Sequence, residues 1–228
     1  MHSLMKDLMT TQVVTVGPAT PFKEIVARLA DHRVSAVPVV DDDRHVLGIV
    51  SEADLLLKEE FPDPDQNIPL FWTKRRRLER QKAAGATARD LMSSLAVVST
   101  TPEATVAAAA RQMHAAGVKR LPVLNEGGRL VGIVSRADLL KVFNRSDQAI
   151  RREIMDEVIV GDFMMAPSRF FIHVDDGVVV LQGRVERRSL LPFLLRAVQG
   201  VEGVVRIENR LAYDIDDVEP LLRAMAYP

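Results

Sequence analysis

Two serine–aspartate pairs, Ser51/Asp54 and Ser135/Asp138, combine residue types and spacing that can do chemistry. Each pair stands where an apolar run, Gly48–Val50 or Gly132–Val134, gives way to Ala-Asp-Leu-Leu, a helix-forming segment. The first turn of a helix has backbone N–H groups without partners and a partial positive charge, a setting suited to phosphate or hydroxyl ligands. A carboxylate placed there can accept two hydroxyl protons, which is how a ribose diol is usually held. The same Ser-x-x-Asp spacing is also a capping box, which closes the helix end and needs no ligand. Recurrence does not separate these readings, because a duplicated cap recurs as readily as a duplicated site.

Other chemistry finds no support. The chain has no cysteine, which excludes disulfides, thiolate metal sites, iron–sulfur ligation and a cysteine nucleophile. His2, His32, His45, His114 and His173 show no metal-ligand spacing. Asp41–Asp43 lacks the glycine and terminal glutamate of a calcium loop. The GxxxxGK[ST], GxGxxG and GxSxG patterns are absent. The expectation is a protein that is not an enzyme, with no metal and no obligatory cofactor.

The elements that position the two pairs are themselves repeated. Val34–Leu56 aligns with Val118–Leu140 without a gap, and 11 of the 23 positions are identical, among them Pro38/Pro122 and Gly48/Gly132. Upstream, Lys6–Met9 recurs as Arg89–Met92, one residue out of register. Each copy opens on an extended stretch, Val13–Val16 or Val97–Thr100. A helix follows, with Phe22, Ile25, Val26 and Leu29, or Val106, Ala109, Ala110 and Met113, on one face. Thr20 and Pro21 suit its N-cap and first turn in the first copy, and Gly117 its C-terminal cap in the second. Strands at Val37–Val40 and Val46–Val50, or Leu121–Leu124 and Leu130–Val134, flank a polar turn and lead into the helix that Ser51 or Ser135 begins. Units this small bury too little surface to fold well alone, so the copies are expected to pack together.

The paired pattern V-S-A-V-P-V-V…G-I-V-S-x-A-D-L-L resembles a tandem CBS pair, the cystathionine-beta-synthase-type module, over roughly residues 1–145. The resemblance implies β-α-β-β-α units in pseudo-twofold pairing, adenosine nucleotides (AMP, ADP or ATP) bound in clefts between copies, and homodimers. It assigns the ribose to Asp54 and Asp138, with Ser51 and Ser135 near ribose or phosphate. It places adenine against Val34, Ser35 and Ala36, or Val118, Lys119 and Arg120, with Thr15 and Ser99. Alignment of Ser35, Ala36 and Glu52 with Lys119, Arg120 and Arg136 makes the second copy the more basic, and phosphate is expected to be held better where Asp138 binds the ribose, unless it is gripped from across the cleft.

Between the copies, Lys74–Lys82 carries six basic residues and one acid. The expectation is a solvated helix face with Leu78 and the aromatics Phe71 and Trp72 docked on the pair, the alternative being a patch that meets ligand phosphates, RNA or a partner's acidic face. Aromatics do not interleave the basic run, which argues against nucleic acid.

Past Asn144 the pattern changes to αββαβ. Asp147 suits a helix cap with Ile150, Ile154 and Val158 behind it. Asp176-Gly177 marks a hairpin between Phe170–Val174 and Val178–Val185. Leu190–Val198 is an amphipathic helix, and Val204–Tyr213 a last strand. This resembles a BON domain, carried by DDGVVVLQGRV and Val198–Leu211. Such domains are associated with envelope or phospholipid attachment and with protein contacts. From Ser146 onward 10 Arg and no Lys face 14 acidic residues. Anionic lipid would repel that balance, so a protein partner is preferred to a membrane.

The expected organisation is α/β (α+β): repeat 1 over 1–60, a Pro/basic linker over 61–87, repeat 2 over 88–145 and a BON-like unit over 146–228. No signal peptide and no apolar run of roughly 18 residues is visible, which suggests a cytoplasmic protein. The expected role is regulatory, with nucleotide sensed by the pair. The alternative is a structural or adaptor protein with vestigial clefts, tethered to membrane or envelope through its last domain.

Overall fold

Each repeat is organised around one antiparallel hairpin, β1 (Ala36–Val40) with β2 (Val46–Ser51) and β3 (Arg120–Leu124) with β4 (Leu130–Ser135). The structure, a computed structural model, describes residues 3–61, 73–93 and 97–218. The two registers coincide: Ala36 faces Ser51 as Arg120 faces Ser135, with the same irregularity at Val39/Val40 and Val123/Leu124. The extended stretches join each hairpin in parallel through a single residue. Val16 N–H donates to the Pro38 carbonyl at 3.1 Å and Val40 N–H to the Val16 carbonyl at 2.9 Å, and Thr100 repeats this with Pro122 and Leu124. Helices α2 (Phe22–Asp31) and α6 (Val106–Ala115) bury Ile25 and Leu29, and Ala109 and Met113. The sequence places Thr20 at the cap of α2. The helix instead starts one position later, with Pro21 at the cap, and the Thr20 carbonyl accepts from Ala88 N–H at 2.8 Å.

That last bond belongs to an exchange which the repeat pattern does not announce. Helix α1 (Met5–Leu8), at the head of the first copy, hydrogen-bonds to the second: Met5 N–H to the Ala104 carbonyl and Lys6 N–H to Pro102, both at 2.9 Å. Thr10 then pairs with Ile133 of β4. The corresponding α5 (Ala88–Leu91), at the head of the second copy, does the same to the first. Arg89 N–H donates to the Pro18 carbonyl at 3.0 Å, and Ser93 pairs with Ile49 of β2. Ala88 and Leu91 are accordingly part of the first repeat's core, with Val16, Ile25, Leu29, Val37, Val39, Val50 and Leu55.

Two repeated residue types follow from this arrangement. Ile49 exchanges hydrogen bonds with Ser93 rather than with Pro38, so a proline in the hairpin loses no ladder bond there. Gly48 is glycine because Met92 lies on it. A Cβ at that position would stand 2.6 Å from the Met92 sulfur, and Met9 covers Gly132 in the same way.

One site in this core is mismatched. Thr100 is 4% exposed, and its hydroxyl finds no partner among the described residues. The structurally equivalent residue of the first repeat is Val16, which is as buried. An unpaired buried hydroxyl costs roughly 1–3 kcal/mol, and valine has the same shape. Thr100→Val is therefore expected to raise stability by about 1 kcal/mol. Chemical denaturation checks this, and an unchanged or lowered midpoint would count against it.

The described residues from Leu139 onward form a separate compact unit, which also takes in Ser3. Its order, α8 (Asp147–Glu153), β5 (Phe170–Asp175), β6 (Val178–Arg187), α9 (Leu191–Gln199) and β7 (Arg206–Ile215), matches the αββαβ reading. Helix α8 continues as a π-helix over Ile154–Asp162, and Ile150, Ile154 and Val158 are buried against the three-stranded sheet. Strand β6 pairs antiparallel with β5 and parallel with β7, which the α9 crossover makes possible. Asp176 and Gly177 have φ of 46° and 71°, as a type I′ turn requires. Asp147 is not the helix cap. Ser146 caps α8 through Ala149 N–H, and the Asp147 carboxylate instead accepts from Asp176 N–H at 3.0 Å and Gly177 N–H at 2.9 Å, fastening the hairpin turn to the helix start.

Candidate functional site

The end of β2 and the start of helix α3 (Glu52–Glu60) present Ser51 and Asp54 to a cavity of about 420 Å³. The cap is formed: Asp54 Oδ2 accepts from the Ser51 N–H at 2.9 Å and from its hydroxyl at 2.6 Å. The second copy repeats it, with Ser135 donating to Asp138 Oδ2 at 2.9 and 2.6 Å at the start of α7 (Arg136–Leu140). The capping role is thus real in both copies, and it fixes the orientation of each carboxylate.

What surrounds Asp54 comes from both repeats. Ser35, Ala36, Ile49 and Glu52 line the cavity from the first, and Ser93, Val97, Val98 and Gly117–Arg120 from the second. The sequence reading groups Val118, Lys119 and Arg120 with Asp138. The structure places all three in the lining of the Asp54 cavity, because pairing of the repeats brings the start of β3 beside the end of β2. Arg120 donates to the Ser35 hydroxyl across this cavity. Arg136 is not in the lining, and its guanidinium donates to the Val118 carbonyl at 3.0 Å. Thr15, Val34 and Ser99 do not line it either. The Thr15 carbonyl accepts from Arg28, and Val34 packs on the first repeat's core.

A further residue reaches the carboxylate from the linker. Helix α4 (Lys74–Ala83) turns Arg80, Lys82 and Ala83 inward and leaves Leu78 41% exposed, the reverse of the expected docking. The aromatics Phe71 and Trp72 lie outside the described residues. Lys82 Nζ donates to Asp54 Oδ1 at 2.5 Å and to the Ser93 hydroxyl at 2.6 Å, and its side chain is 8% exposed. Lys58 on α3 completes the docking by donating to the Ala83 and Gly85 carbonyls at 3.2 and 3.1 Å, where a cation suits a helix C-terminus. Nothing in the repeat pattern marks Lys82, because the linker has no counterpart with which to align it.

Comparison with known proteins agrees with this architecture. A CBS domain model matches residues 5–59 and 88–145, and a BON domain model matches residues 146–214. A CBS domain-containing protein of Dictyostelium discoideum is 30% identical over 140 residues, which are 61% of this chain and 90% of that protein. The chain belongs to the CBS-domain family. Its CBS pair is followed by a BON domain. An uncharacterized protein of Methanopyrus kandleri is 29% identical over 132 residues, and the chain spans 57% of that relative's length. The CBS pair is also similar to a crystal structure of CBSX2, a protein of Arabidopsis thaliana, in complex with AMP. The TM-score is 0.52 at 25% identity, over 60% of this chain and 94% of that one. Among the described residues no helix is long and apolar enough to cross a membrane.

Proposed function

We propose that the CBS pair is a regulatory, non-catalytic sensor that binds an adenosine nucleotide in the cavity at Asp54, and that the BON domain contacts a protein partner. The observation that carries the reading is a carboxylate fixed at a helix start inside a 420 Å³ cavity whose lining also includes Lys119 and Arg120. The arrangement suits a ligand with a diol at one end and phosphate at the other. The AMP complex of CBSX2 supports that ligand class. Association of two copies through the pair belongs to the same proposal, since Val26 on α2 stays 43% exposed beside buried Ile25 and Leu29.

Calorimetry with AMP tests the site. Asp54→Ala is expected to weaken binding by about tenfold or more, the worth of a charge-assisted hydrogen bond. Undiminished affinity in the Asp54→Ala/Asp138→Ala double variant would remove the assignment. A second reading, an adaptor that binds no nucleotide, draws on the internal satisfaction of Asp54 by Ser51 and Lys82. It requires that AMP and ATP produce no thermal shift, whereas a ligand at 100 times its dissociation constant stabilises by about 2.7 kcal/mol.

A further inference from the structure

We propose that Lys82 competes with the ribose diol for Asp54, so that nucleotide binding undocks the C-terminal end of the basic linker helix α4. The proposal rests on the nucleotide reading of the cavity. A carboxylate offers about four acceptor positions. Two of those on Asp54 are taken at Oδ2, by the Ser51 N–H and hydroxyl, and the Lys82 ammonium takes Oδ1 at 2.5 Å, with the Ser93 hydroxyl at a long 3.5 Å from the same oxygen. A diol that engages the carboxylate through both hydroxyls finds too few positions until one partner leaves. Ser51 is held in place by the hairpin and by the cap itself. Lys82, at the end of a flexible stem, is the partner that yields.

The displaced ammonium cannot remain where it is. Its side chain is 8% exposed and its remaining contact is the neutral Ser93 hydroxyl. An ammonium buried without its counter-charge is strongly disfavoured. Lys82 therefore moves toward water and loosens the last turn of α4, while the Lys58 contacts with the Ala83 and Gly85 carbonyls and the Arg76–Glu60 ion pair still tether the helix to α3. The consequence is a helix bearing Lys74, Arg75, Arg76 and Arg77 whose docking depends on whether the cavity is filled.

Binding of adenosine and of 2′,3′-dideoxyadenosine to the full chain, compared with Lys82→Met and Lys82→Gln, tests this by calorimetry. Amide exchange over residues 74–85 is measured with and without adenosine. Removing the competitor is expected to tighten adenosine on the order of tenfold or more in both variants, and to leave the dideoxy compound unchanged. In the unmodified protein adenosine is expected to speed exchange in α4. Adenosine affinity that is unchanged or weaker in both variants, or α4 amides that become more protected, would overturn the competition while leaving the nucleotide site intact. Failure of adenosine to bind any of the three proteins would instead overturn the nucleotide reading, and this inference with it.

Discussion

Truncating Leu91 to alanine is expected to cost about 2–5 kcal/mol, the usual range for emptying a buried leucine site, and to loosen the first repeat rather than the second. Leu91 is 1% exposed and sits among Ile25, Val37, Val39 and Val50, although its place in the chain is at the head of the second copy. Met5 is the reciprocal case. It is fully buried at the head of the first copy, where the α1 backbone is bonded to Pro102 and Ala104 and Thr10 just beyond it to Ile133. Met5→Ala is expected to lose a similar amount, within the same range, with faster amide exchange near residues 100–135 in place of 16–50. Hydrogen exchange on both variants measures the pattern. Loosening confined to the copy that carries the mutation, in either variant, would mean that the exchanged helices do not hold the repeats together.

The same exchange shows why the sequence was readable in one respect and opaque in another. Alternation and turn chemistry are local, so both hairpins, the Asp176-Gly177 turn and the αββαβ order could be read directly. Which copy receives α1 or α5 is a long-range choice, and identical motifs look the same whichever way they pack. Asp147 illustrates the point on a smaller scale. Ser146 and Asp147 are both good caps by residue type, and what separates them is the hairpin turn near residue 176, which only the folded unit brings close. Ser51 and Asp54 stood out because they recur, and the cap they form was legible from their spacing. Lys82 did not, since its partner lies 28 positions away and a basic run gives no local reason for one of its members to be buried. The pairing of Lys119 and Arg120 with Asp54 depended likewise on the geometry between repeats, which a gapless alignment of the copies does not contain.

That pairing leads to the expected basis of ligand choice. Lys119→Ala with Arg120→Ala should lower AMP affinity by about a hundredfold or more, since each cation at a phosphate contributes a charge-assisted bond worth roughly 1.5–3 kcal/mol. Adenosine, which has nothing for them to hold, should change little. The effect belongs to the Asp54 cavity because both residues line it and Arg120 already reaches across to Ser35. Phosphate at that end would take over the guanidinium and release the Ser35 hydroxyl, a neutral group that can turn to other partners. Arg136→Ala is the matched control. Its side chain is committed to the Val118 carbonyl, so it should leave the preference for AMP over adenosine in place. Calorimetry with both ligands on the two proteins, repeated with Asp138→Ala as background, separates the clefts. Should the preference survive the double variant, or vanish equally with Arg136→Ala, the basic residues lining the Asp54 cavity are not the phosphate site.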